Sequence, residues 1–197
     1  GKMSGYLQTM QPSFLRFDGV NPFGLTEMIL STDGHAFTFL AVREQTGYQG
    51  PVSAEKFQKY MPSAFFDDLA TLLNGLVPVK EHFIVKQVRG EEKGSGFWLD
   101  LAYSASSKLL KILYQPDKRV VDRIIIVPEK GTDSVIVSYN YSPVAPVNNC
   151  PEPESIQFDS NGNGKISIDF LRRYPGSAFK KGLFRVAIPS NYKKVSI

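Results

Sequence analysis

Between Gly5 and Val42 apolar side chains recur at every second position, a period that forces extended chain with one dry side. Leu15 and Phe17 share one face of a strand, Thr26, Met28 and Leu30 one face of the next, and Phe37, Phe39 and Ala41 one face of a third. Asp33-Gly34 separates the last two and supplies a tight hairpin turn. Pro12 cannot donate a ladder hydrogen bond, so the strand opening at Gly5 ends or bulges there.

The period then changes. Ser53 can cap a helix through Tyr60, and Ser63 a second helix to about Leu73, with Gly75 as its stop signal. Phe65, Leu69, Leu72 and Leu76 recur at three- and four-residue spacing, flanked by Phe66 and Leu73, while Asp67 and Asp68 complement the positive end of the helix dipole. Alternation returns in His82–Arg89 and Gly96–Tyr103, a hairpin over the polar tip Gly90–Ser95. Lys108–Tyr114 and Arg119–Val127 flank the turn Gln115-Pro116-Asp117-Lys118; the first is helical or extended by spacing alone, and the turn and strand that follow favour extended. Ser134–Tyr141, then Ser155–Phe158 against Lys165–Leu171, and finally Phe184–Ile188 complete the strands. Roughly ten strands with one helical interruption predict a mainly β fold: a strongly curved antiparallel sheet, or half-open barrel, with helices covering its concave face.

A chain of 197 residues reads as one domain with room for a large core, and 42% hydrophobic against 21% charged residues is globular composition. No apolar run reaches membrane-spanning length and no signal-peptide pattern opens the chain. The formal charge of +4 comes from scattered basic residues, with small groups at Lys180-Lys181 and Lys193-Lys194. A nucleic-acid surface would need a denser basic stripe, so nucleic acid is not an expected partner; a solvated face, or contact with acidic partners or anionic lipid, fits better. Cys150 is the sole cysteine, which excludes an internal disulfide, and it sits in a proline-rich loop without an activating neighbour.

Chemistry finds little support. Asp159-Ser160-Asn161-Gly162-Asn163-Gly164 resembles half of a calcium loop, but Phe170 stands where the bidentate acid is required and the flanks are strands, so a hairpin turn is the expectation. His35 and His82 lie in no catalytic motif, Asp67-Asp68 and Glu91-Glu92 are adjacent pairs whose side chains diverge, and no glycine-rich phosphate loop opens a helix. The expectation is a protein that is not an enzyme and uses no cofactor or metal. Fourteen Phe, nine Tyr and Trp98 remain. Core packing explains any one of them, but a curved sheet also leaves an apolar hollow unless side chains fill it.

The order of these elements resembles the LolA/LolB-like carriers and receptors of bacterial outer-membrane lipoprotein sorting. The resemblance rests on the Gly5-x-Leu7 strand running to Pro12, the pair Phe14-Leu15, the Asp33-Gly34 turn before Phe37 and Phe39, Tyr48-Gln49-Gly50-Pro51 before the helix, and Gly182–Pro189 as a closing strand. It covers most of the chain. It implies a single domain over residues 1–197, lacking the family's N-terminal helix and first strand, and a native chain that is longer and exported. It implies residence in the periplasm or at the outer membrane of a Gram-negative-type bacterium, and a cavity for lipid or lipoprotein acyl chains. Leu15, Phe17, Met28, Leu30, Phe37, Phe39, Phe65, Leu69, Leu72 and Trp98 are the candidate lining, and Gln11, Phe66 and Leu73 the candidate gate on a movable Phe65–Leu76 helix. The carrier has a basic residue before the strand-ending proline, where this chain has Gln11, so charge control of opening is not expected. Receptor members expose an apolar loop residue for peripheral membrane contact, and Phe23 is the candidate counterpart. The alternative is a structural or accessory subunit of an envelope complex, with a solid core and a protein partner.

Overall fold

The computed structural model describes residues 2–10, 13–52, 69–78, 83–103, 109–127, 134–142, 151–160, 164–174 and 179–197. Mainly β structure is what the alternation required. Among the described residues thirteen strands form two open sheets, one of six strands and one of seven. They fall in two compact units: Gly1–Thr71 with Gly176–Ile197, and Leu72–Pro175.

The first unit holds β1 (Ser4–Met10), β2 (Phe14–Val20), β3 (Thr26–Thr32), β4 (Ala36–Ala41) and β5 (Thr46–Pro51), each antiparallel to the one before. The β3–β4 turn forms as its sequence dictates. Gly34 takes a φ of +90°, and the Asp33 carboxylate accepts the backbone N–H groups of His35 and Ala36, both at 3.0 Å. The Ala36 amide, ahead of the His35 amide and the charges of His35 and Arg185, holds the Asp33 carboxyl below its ordinary value against the opposing effect of partial burial. β13 (Lys193–Ser196) then docks parallel to β5.

The second sheet runs β12 (Gly164–Asp169), β11 (Pro153–Ser160), β10 (Val135–Tyr141), β9 (Val120–Val127), β8 (Leu109–Gln115), β7 (Phe97–Tyr103), β6 (Phe83–Gly90). Its pairings place Leu110, Ile112, Ile124, Ile126, Val137 and Ile156 on one face, each no more than 2% exposed. Each such side chain contributes roughly 1.5–3 kcal/mol relative to exposure, so this face is the dominant core of the unit. The opposite face carries Lys111, Arg123, Ser138 and Gln157.

Three sequence expectations are corrected. Among the described residues there is no single ten-strand curved sheet and no closed barrel, because β13 occupies the edge of β5 on which a continuing strand would have docked. Among the described residues no helix covers a concave face, and the one α-helix is the single turn α1 (Leu69–Leu73); the expected helix Ser53–Tyr60 and the start of the second lie outside the described residues. Gly75 ends α1 as expected, at a φ of +68° with its N–H donating to the Leu72 carbonyl at 3.0 Å. Lastly, Phe184–Ile188 is not a strand. Phe184 ends a 3-10 turn (Lys181–Phe184), and the residues after it are extended without a ladder partner, with only Phe184 and Ile188 buried.

Candidate functional site

In the first unit, strand register decides which side chains share a face. Leu7 opposes Phe17, Phe17 opposes Leu30, Leu30 opposes Phe39, and Phe39 opposes Tyr48. Beside this row stand Leu15, Phe37 and Met28. All six candidates from the sheet, Leu15, Phe17, Met28, Leu30, Phe37 and Phe39, therefore lie on one face. Between β1 and β5 that face carries no acidic or basic residue. Leu15 and Phe37 are buried at 3% and 2% exposure, whereas Leu7, Phe17, Met28, Leu30, Phe39 and Tyr48 are half-buried. Gly5 and Gly19 leave space for the Phe17 ring; a Cβ on Gly5 would lie 2.6 Å from its Cε2.

The opposite face is covered by the chain's own C-terminal segment. The Phe184 ring lies 5.5 Å from that of Phe14 and 6.3 Å from that of Phe179. The buried Ser31 hydroxyl donates to the Phe184 carbonyl, and Arg16 Nη1 donates to the Leu183 carbonyl at 3.1 Å. Further along, Ile188 sits so close over Gly47 that a Cβ there would come within 2.5 Å of its Cγ2. One sheet thus has one face sealed by a strap and one apolar face half in water. The sequence signals that could have added Leu7 and Tyr48 to this face are their period-two spacing with Gly5 and Thr9, and with Thr46 and Gly50.

The helix candidates are core. Leu69, Leu72 and Leu73 are 5%, 0% and 2% exposed. Arg173, which the sequence reading missed, holds the helix end in the second unit. Its Nη2 donates to the Leu73 carbonyl at 3.2 Å, its guanidinium carbon lies 3.7 Å from the Phe170 ring centroid, and its Nε is 4.0 Å from Glu152. Burial pulls the Arg173 pKa down, opposed by Glu152 and Tyr141. Nearby, burial pushes both the Tyr139 and the Tyr141 hydroxyl well above the ordinary tyrosine range; the Tyr141 hydroxyl donates to the Val121 carbonyl at 3.0 Å.

Trp98 is not with the other candidates. It lies in the second unit, in a hollow of about 430 Å³ at the β6–β7 tip, with Arg89, Gly90, Glu91, Glu92 and Lys93. Arg89 stands over its ring at 5.9 Å. The tip is braced, as Gln115 donates to Glu91 at 3.0 Å and Ser95 to Asp117 at 2.6 Å. Two acids and two bases around one indole do not suit an alkyl chain.

Phe65, Phe66, Gln11, His82 and Cys150 lie outside the described residues. So do Asn161–Asn163 of the calcium-like loop, but its flanks pair as a hairpin, with Asp159 opposite Lys165 and their charged atoms 2.9 Å apart. Among the described residues no three His, Cys, Asp or Glu side chains cluster as metal ligands.

Phe23 and Leu25 are 89% and 66% exposed on the β2–β3 turn. That turn is rigid: the Asn21 side-chain oxygen accepts the N–H groups of both Phe23 and Leu25 at 3.0 Å, and Gly24 adopts a φ of +79°. No protein-family model and no curated protein matches this chain.

Proposed function

We propose that this chain binds the acyl chains of lipid or lipoprotein on the uncharged face of its first sheet, as a carrier or acceptor similar to the LolA/LolB-like proteins. The observation that carries the reading is the half-buried row Leu7, Phe17, Leu30, Phe39 and Tyr48, which crosses five strands on a face that carries no acid or base from β1 to β5. Such a surface has no use for polar substrates and gains from every methylene laid on it. One methylene is worth about 0.8 kcal/mol, so a long acyl chain gains on the order of 10 kcal/mol before ordering costs. No nucleotide or cofactor enters; transfer follows differences in affinity between successive binders.

The same proposal places the chain in the periplasm or at the inner leaflet of the outer membrane. Phe23 and Leu25 would then be the membrane contact, as a rigid apolar tip can enter the headgroup layer without unfolding.

Native mass spectrometry of protein purified from its own source tests this, with co-purifying lipid as the expected result. In parallel, a fluorescent fatty-acid probe should bind the wild type and lose affinity in Leu30→Asp and Phe39→Gln. Probe binding that ignores both substitutions defeats the assignment. A second reading, a scaffold subunit of an envelope complex, draws on the burial of Leu15, Phe37, Leu69 and Leu72, which makes part of the candidate lining solid core, and on that of the candidate gate residue Leu73. A stoichiometric protein partner without lipid in the same spectrum selects it.

A further inference from the structure

We propose that the β6 edge of the second sheet is a docking site for an extended peptide segment of another protein, one that alternates apolar and acidic residues. Among the described residues β6 is the last strand on its side of the sheet, and it is exposed along all of its length after Phe83. Ile84, Val85 and Val88 are 47%, 57% and 57% exposed, and Phe97 on the neighbouring strand is 44% exposed.

Register divides these groups by face. Val85 and Val88 oppose Leu101 and Leu99, and Phe97 opposes Gly90, so these three continue the buried face of the sheet out into water. Ile84, Gln87 and Arg89 oppose Ala102, Asp100 and Trp98 on the other face. Asp100 is already flanked there by Arg89 and Lys111, each 3.9 Å away. The ionisable residues of β6 itself are Lys86 and Arg89, both basic.

Edge strands commonly carry a lysine and a bulge to prevent indiscriminate pairing, and β6 has both Lys86 and a register shift between Val85 and Gln87. Those devices account for the charges but not for the bare Val85 and Val88 on one face, which a merely protected edge would replace with polar residues. The other open edges differ. β1 is half-buried from Leu7 to Met10, β13 presents Lys193 and Lys194, and β12 exposes one large aliphatic side chain, Ile166. Pairing of β6 with a second copy of itself would bring Lys86 and Arg89 against their own kind. An added strand with aliphatic residues on one side and carboxylates on the other instead extends the apolar face past Val85 and Val88 and meets Arg89, on the other face, with opposite charge, while Lys86 at the bulge adds to the positive charge of the edge.

The test uses the whole chain and a capped, labelled peptide of 8 residues, the length of β6, alternating valine and glutamate. Fluorescence anisotropy should show binding tighter than about 1 mM. Hydrogen exchange should show β6 amides newly protected. The Lys86→Glu/Arg89→Glu variant, both sites exposed and its fold checked by circular dichroism, should bind about tenfold more weakly at low salt and prefer the valine–lysine counterpart. A backbone N-methylated form of the valine–glutamate peptide, which needs no protein variant, should not bind. Equal binding of the two peptides, unchanged binding after N-methylation, no binding below about 1 mM, or a dimer whose interface protects β6 would each overturn the proposal.

Discussion

Truncating Phe184 to alanine should open one face of the first sheet, and the cost follows from its surroundings. The ring is 2% exposed, packs against Phe14 and Phe179 at 5.5 and 6.3 Å, and belongs to the residue whose carbonyl accepts the Ser31 hydroxyl. Removing a buried phenylalanine costs about 3–5 kcal/mol through lost transfer energy and an unfilled cavity. Against a typical stability of about 5–15 kcal/mol, that is a large fraction. Trp98, the single tryptophan, belongs to the other unit, so its fluorescence is the wrong reporter. Hydrogen exchange at the β3 and β4 amides is the right one: their opening free energy should fall by about 3–5 kcal/mol in Phe184→Ala. Leu183→Ala, one residue earlier and 39% exposed, should change it by less than about 1 kcal/mol. Ser31→Ala leaves a buried carbonyl without its donor and should cost about 1–3 kcal/mol, non-additively with Phe184→Ala because both act on one strap. A loss below about 1 kcal/mol in Phe184→Ala would mean that the segment does not seal the sheet.

Arg173→Ala should destabilise the second unit by about 1.5–3 kcal/mol in urea titrations, and Arg173→Lys should recover only part, since an ammonium cannot stack on Phe170 while reaching the Leu73 carbonyl. Asp33 has a depressed folded pKa, so it stabilises at pH values above its unfolded value and that contribution disappears as pH falls through the folded one; Asp33→Asn should lower the neutral-pH Tm, with the two proteins converging in acid. Tyr139 and Tyr141 have raised folded pKa values, so stability should hold to about pH 10 and then fall, and the part of the near-ultraviolet tyrosinate absorbance that is lost in Tyr139→Phe and Tyr141→Phe should be the part that rises with unfolding. Gly75→Ala should cost about 1–2 kcal/mol in Tm-derived stability, as its φ is +68° and the new Cβ would lie 2.8 Å from the Tyr141 hydroxyl oxygen.

Local signals were legible where one short stretch carried the whole instruction. Alternation placed β2, β3 and β4 and their common face, Asp33-Gly34 made its turn, and Gly75 stopped α1. Lys108–Tyr114 is ambiguous by spacing, and its described part from Leu109 on is extended because its partners on both sides are strands. The errors came from long range. Phe184-Arg185-Val186-Ala187-Ile188 alternates like a ladder strand, yet period two describes any extended chain pressed on a surface, and here it is pressed on a sheet face. Lys193–Ser196 lacks an apolar pattern and pairs anyway, because the backbone edge of β5 supplies the bonds. That pairing also divided the sheets, which no strand-by-strand reading reveals. Trp98 looked like cavity lining by hydrophobicity alone, and its face was decided by register with Arg89.

Ser31 and Phe184 stand 153 positions apart and still close on each other. Loop length itself is a minor obstacle at equilibrium, since each doubling adds only about 0.6 kcal/mol. The effect falls on timing. During synthesis β1 to β5 emerge with Ser31 and Leu40 bare on one side, and they stay so until the whole intervening unit has been made and the strap arrives. The first unit therefore begins early and finishes late, and in between it offers a naked sheet that a chaperone must shelter or a neighbouring nascent chain will find.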